Sequence, residues 1–310
     1  MGAIPPLNDH EWNEAFSKYQ QTPQFKKLNY DFTLPEFKKI FFWEYLHRLI
    51  GRLIGVVFLV PFIYFYLTKQ LDKTMTKKSI ILFLLGGLQG FIGWFMVQSG
   101  LTERTSVSHY RLAIHLVAAF ITFAFTLWFA LQLIYHDEKG NPVLKKKHLP
   151  ILRFLFAIVI MQIIYGAFVA GLHAGQFANT FPMMDDEWVP SGISSDGSLL
   201  KNLFQNPVTI QFIHRVMAIL ILLLIGWFWI TADRNRMSRS QRRGINFLLI
   251  AVAVQFLLGV YTLLSKVEIL LASLHQVGAF MLFSAVIFLL FQFRKENQTA
   301  DHFQRNVASR

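Results

Sequence analysis

Residues 208–230 read VTIQFIHRVMAILILLLIGWFWI, a stretch in which His214 and Arg215 are the only ionisable side chains. A helix rises about 1.5 Å per residue, so this stretch is long enough to cross roughly 30 Å of hydrocarbon. In lipid every backbone N–H and C=O must be paired internally, and a helix is the form a single run can take to achieve that. Both ionisable groups stand near one end and everything after them is apolar. That is the pattern of a functional group placed close to a membrane surface.

Six further apolar runs accompany it, near residues 41–68, 79–101, 112–135, 149–173, 245–265 and 269–292. The 310 residues are 54% hydrophobic and include 32 Phe, which is more apolar than a water-soluble domain tolerates. The fold class is therefore all-α, and the chain a polytopic membrane protein with lipid as its solvent. The net charge of +12 does not point to nucleic acid, because the basic residues lie between spans, where they set topology. Connections 69–78, 136–148 and 231–243 carry four, four and five Lys or Arg, against two, one and one in 102–111, 174–207 and 266–268. The first group is expected on the cytoplasmic or matrix side. The second faces outward, including the acidic stretch with Asp185, Asp186, Glu187 and Asp196. Cysteine is absent, so no thiol, disulfide or iron–sulfur chemistry comes from this chain, and redox work would need a bound cofactor.

The chain repeats itself. Glu44-Tyr45-Leu46-His47-Arg48 returns as Gln211-Phe212-Ile213-His214-Arg215, and His115-Leu116-Val117-Ala118-Ala119-Phe120 returns as His275-Gln276-Val277-Gly278-Ala279-Phe280. A weaker echo links Leu88-Gln89-Gly90-Phe91-Ile92-Gly93-Trp94 with Val254-Gln255-Phe256-Leu257-Leu258-Gly259-Val260. The division is residues 1–140 and 141–310. The second half shows four helices, the first only three after a polar segment. A counterpart of the 149–173 helix is expected before Met1, which makes eight spans in two pseudo-symmetric four-helix bundles.

The topology puts His47, His115, His214 and His275 in the outer third of their helices. Two imidazoles on facing helices can take both axial positions of an iron porphyrin. Position +4 after each is small, namely Gly51, Ala119, Ala218 and Ala279, which leaves room one turn below for a flat ring. The competing reading is interhelical hydrogen bonding without a ligand. Four histidines at one depth in a duplicated pattern favour heme, and no carboxylate cluster accompanies the pairs as a di-metal centre would need. Arg48, Arg52, Arg111 and Arg215 are candidate propionate contacts, with snorkelling to lipid headgroups as the alternative. His10, His136, His148 and His302 fall in connections or tails and are expected to be solvated. The halves differ at Glu44 and Gln211: a carboxyl group can move a proton beside a heme, an amide cannot. The first half is thus the candidate reaction site and the second the candidate permanent cofactor site, unless Glu44 serves only to pair with Arg48.

These stretches resemble the heme A synthases of the mitochondrial and proteobacterial type. The matching segments are Gly2 to Leu7, Glu44 to Arg52 (EYLHRLIGR), Leu88 to Leu101 (LQGFIGWFMVQSGL), Ser108 to Leu116 (SHYRLAIHL), Val169 to Gly175 (VAGLHAG), Asn179 to Met183 (NTFPM) and Gln211 to Arg215 (QFIHR). They run along essentially the whole chain. The resemblance implies oxidation of the C8 methyl group of heme O to a formyl group, through successive hydroxylations, to give heme A for terminal oxidase assembly. It implies heme b as cofactor on His214 and His275, substrate heme on His47 and His115, Glu44 as the essential carboxylate, and a heme O synthase as supplier. It also implies a multi-pass location, in the bacterial inner membrane rather than the mitochondrial one, and is compatible with a homo-oligomer. Members usually begin with one more helix, and His173 stands where Asp is frequent. Some bacterial relatives carry a cysteine pair that this chain lacks. Without the resemblance, a di-heme b-type electron-transfer protein or a non-catalytic heme carrier would satisfy the four histidines equally.

Overall fold

A computed structural model of the chain describes residues 5–100, 107–135, 142–195 and 197–294, with backbone alone at 98–100 and 142–146. His136, His302 and Asp196 lie outside the described residues. Among them, seven helices are long and apolar enough to cross a membrane, at the places where the apolar runs lie. These are α3 (Leu34–Leu67), α4 (Lys73–Gly100), α5 (His109–Ile134), α6 (Pro142–Gly171), α8 (Pro207–Thr231), α9 (Arg239–Leu264) and α10 (Ile269–Arg294). Shorter helices α1 (Asp9–Gln20) and α2 (Pro23–Leu28) precede α3, and α7 (Leu199–Gln205) precedes α8.

The helix starts are written in the sequence. Thr33 and Glu36 form a capping box at α3, and Ser238 and Gln241 another at α9, each satisfying backbone N–H groups that have no partner within the helix. Asn206 accepts from the N–H groups of Val208 and Thr209, with Pro207 at the first helical position of α8. Glu268 caps α10 by accepting from Leu271 N–H at 2.9 Å. The N–H groups of Leu271 and Leu270 hold its carboxyl below the usual carboxylate range.

Contact density divides the chain within α5, between Thr122 and Phe123. In the first unit α1 and α2 fold onto the start of α3 around Tyr19, Phe37 and Phe41, with Trp12, Phe16 and Phe25 packed against them. Tyr19 and Phe37 stack at 5.0 Å, and Trp12 meets Phe41 edge-on at 5.0 Å. The polar N-terminal segment is thereby tied to the outer end of α3, just before Glu44. In the second unit α6, α8, α9 and α10 close a four-helix bundle in which α6 touches α8 and α10, and α9 touches α8 and α10. The last turns of α5 join that unit through Phe123 against Phe280 and Trp128 against Phe291, which explains why packing divides the chain before residue 140. The boundary at 140/141 is a proposal about duplication.

Two of the four helices, α9 and α10, are not evenly packed along their length. Leu152, Leu155, Phe228, Ile245, Leu248, Phe283, Leu289 and Phe293 are fully buried and fill the inner half of the bundle. In the outer half, no described residue from Ala253 to Met281 on α9 and α10 is fully buried. His148 corrects an expectation here. It is 1% exposed, its ring set edge-on against Phe228 and Phe293, because the first turn of the α6 span already lies inside the packed inner core. Helices α9 and α10 approach closely where Gly244 faces α10, since a Cβ there would stand 2.8 Å from Leu289 Cδ2 and 2.9 Å from Phe288 Cε1. Gly244→Val is expected to lower stability by about 1–3 kcal/mol through overpacking, read as a lower thermal midpoint of the detergent-solubilised protein. An unchanged midpoint would show that the helices can separate freely there.

Candidate functional site

In the second unit His214 on α8 and His275 on α10 lie within electrostatic reach of one another in the half of the bundle where α9 and α10 carry no buried residue. Each imidazole rests on a glycine of a neighbouring helix. A Cβ at Gly166 of α6 would stand 3.2 Å from His214 Cε1, and one at Gly259 of α9 would stand 2.8 Å from His275 Cε1. Nδ1 of both rings is buried without a hydrogen-bond partner. In the first unit His115 repeats the arrangement: a Cβ at Gly93 of α4 would stand 2.9 Å from its Cε1, and its Nδ1 is likewise buried and unpartnered. His47 is exposed on α3, within electrostatic reach of His115. Each sequence-predicted pair thus falls within one unit, its members within electrostatic reach.

The other candidate residues divide in two. Glu44 accepts a salt bridge from Arg48 at 3.1 Å across one turn of α3, with both side chains about a third exposed (34% and 31%). Arg52 is exposed one turn further on. The Arg111 guanidinium lies 5.4 Å above the Phe95 ring. Arg215 takes a different part: its Nη1 donates to Thr180 O at 2.7 Å and Met183 O at 3.3 Å, and its Nη2 donates to Ala178 O at 2.5 Å. A propionate contact from Arg215 would share the guanidinium with this work.

Gln211, the counterpart of Glu44, serves the same loop. It is buried, and its Nε2 donates to Phe177 O at 2.8 Å. Asn179 donates to Gly175 O and to Leu263 O, tying the loop to the outer end of α9. Gly175 packs on Val267, so the loop and the 266–268 turn lie at one end of the bundle. His173 closes α6 with left-handed backbone (φ 53°), a conformation Asn, Asp and His adopt more readily than other side chains. That gives His173 a structural account that its sequence position alone did not. Gln211→Glu is expected to destabilise the bundle by about 1–3 kcal/mol, because a carboxylate cannot donate to the Phe177 carbonyl. Hydrogen exchange should then accelerate across residues 177–185; unchanged protection would show that Gln211 does not hold the loop.

Among the described residues no cluster of three His, Asp or Glu side chains would hold a bare metal ion. Paired imidazoles against glycines instead suit a metal whose other ligands come from a flat macrocycle. The family model for cytochrome oxidase assembly proteins (COX15-CtaA) matches residues 1–287. The chain belongs to this family. Proteins named heme A synthase from Flavobacterium johnsoniae and Nitrosospira multiformis are 45% and 42% identical to it, over 94% and 96% of this chain and 86% and 83% of their own. A heme A synthase of Wolbachia pipientis wMel is 40% identical over 95% of this chain and 82% of its own. The cytochrome oxidase assembly family is heme-related, and the donors on α5, α8 and α10 fit such a group: each is an imidazole laid against a glycine of a neighbouring helix, where an added Cβ would collide with the ring at Gly93 and Gly259 and crowd it at Gly166.

Sequence reading missed one element of the site. Gln89–Gly93 and Gln255–Gly259 stand out only as a weak echo, and Gln162–Gly166 has the same spacing on α6. The i, i+4 spacing puts each pair on one helix face, a signal that gains meaning once a histidine is found opposite each.

Proposed function

We propose that the protein is a heme A synthase, a membrane oxidoreductase that converts the C8 methyl group of heme O to a formyl group for terminal oxidase assembly. The observation that carries this reading is the pairing of histidines in each unit together with the Glu44/Gln211 difference, in a chain of this family. His47 and His115 hold the substrate heme, and His214 and His275 hold a resident heme b. Heme b supplies one-electron chemistry when bound. Glu44 is the proton-handling group, and Arg48 orients its carboxylate from one turn away. Gln211 is committed to the outer loop by its donated hydrogen bond, which supports a purely structural role in the second half. Arg215 and Asn179 hold the same loop over the outer end of the bundle, where it limits water entry. A heme O synthase supplies the substrate, and the location is the bacterial inner membrane.

The test is extraction of hemes from cells that make heme O and express this protein, followed by chromatography. Accumulation of heme A is expected. A protein holding only heme b, with heme O left unconverted, would overturn the enzyme reading in favour of electron transfer.

A further inference from the structure

Three histidines meet the same pair of residues. Gln162 of α6 donates from Nε2 to the main-chain carbonyl of His214 at 3.0 Å, and Gln89 of α4 donates to that of His115 at 3.1 Å. The helix that carries the Gln carries, one turn on, the Gly on which the imidazole lies. In the second unit the amide also reaches the ring itself. Gln162 Nε2 is 3.4 Å from His214 Nε2, and Gln255 Nε2 is 3.5 Å from His275 Nε2. The orientation of the Gln162 amide is set by chemistry: the atom facing a carbonyl oxygen must be the nitrogen. A lone pair that accepts an amide N–H is not available to iron, so the bond to the main-chain carbonyl is the one compatible with a loaded site.

We propose that Gln162 and Gln255 are positioning residues for the heme b site: each Gln-x-x-x-Gly pair sets the depth of one imidazole against its glycine. Gln89 and Gly93 form the equivalent mount for His115. This rests on the assignment of His214 and His275 as axial ligands. The glycine fixes how far the ring can approach its neighbour helix, and the glutamine fixes the height of the histidine along it. Groups that orient a metal's ligands from behind influence both its affinity and its electronic properties.

The test uses purified holoprotein with Gln162→Met and Gln255→Met, which keep an unbranched chain of similar length and remove the donor. Heme transfer to excess apomyoglobin is expected to accelerate by about 10–100-fold. The low-spin electron paramagnetic resonance signal of the retained heme b is expected to shift, and Gly259→Ala, which displaces the ring directly, should shift it further. Gln89→Met should leave that signal in place. Unchanged transfer rates and an unchanged signal in the Met variants would overturn the proposal. So would a lower yield of folded protein whose retained heme has the wild-type signal, since that is what a purely structural role predicts. His214→Ala separates the underlying assignment: loss of the two-imidazole low-spin signal supports it, and its persistence would overturn the ligand assignment itself.

Discussion

Glu44→Gln is expected to reduce conversion of heme O to heme A by at least about 100-fold, the range general acid–base catalysis typically contributes, while heme b content stays at the wild-type level. The substitution preserves size and removes the ability to take up and release a proton. Its structural effect is small, because the Glu44–Arg48 pair is partly exposed and such pairs contribute about 1 kcal/mol or less. A large loss of conversion therefore could not be ascribed to unfolding. The measurement is heme chromatography after expression, normalised to protein and to bound heme b. Conversion at the wild-type rate would mean that Glu44 serves only to pair with Arg48. The second half supplies an internal comparison, since Gln211 occupies the equivalent position and donates to Phe177 O, a task a carboxylate cannot perform.

Replacing either His214 or His275 by Ala is expected to remove nearly all tightly held heme b. Replacing His47 or His115 should leave heme b in place and abolish conversion. The first pair of substitutions acts inside one bundle whose inner half is fully packed, so the apoprotein should keep its helical content. Heme content by pyridine hemochrome, with helicity by circular dichroism, separates ligand loss from collapse. Heme b lost from the His47 or His115 variants, and retained in the others, would reverse the assignment of the two halves. Loss in all four would mean that the two sites do not load independently.

The spans and the repeated histidine motifs were legible in the sequence because each rests on a local rule. A run of apolar residues is a helix in lipid whatever surrounds it, Lys and Arg between runs set the side, and a duplicated motif such as EYLHR and QFIHR shows itself by comparison alone. His148 was misread for a related reason. Its neighbours Lys145, Lys146 and Lys147 suggest a solvated connection, yet the ring turns inward between Phe228 and Phe293 from α8 and α10. No local rule reports a partner that comes from residues 80 or more positions away.

The same distinction separates Arg215 from Arg48. Both follow a histidine, and sequence offers both the same candidate part. In the structure Arg48 turns back to Glu44 on its own helix, and Arg215 reaches a loop more than 30 residues before it. The Gln-x-x-x-Gly spacing could be written down from the sequence, but glutamine and glycine are common in membrane helices, and the spacing says only that the two share a face. What each face meets is decided by helix packing.

The sequence by itself determined that 208–230 and six companions are membrane helices, that four histidines stand in repeated motifs on four of them, and that the two halves differ at residues 44 and 211. These follow from the length, polarity and repetition of contiguous segments. Tertiary structure alone decided that Gly166 and Gly259 carry the imidazoles of His214 and His275, that Gln211 and Arg215 hold the outer loop, and that α9 and α10 are buried only towards one end. Those depend on which side chains meet across helices, and contacts between distant segments are set by the packing of whole surfaces rather than by any one stretch of chain.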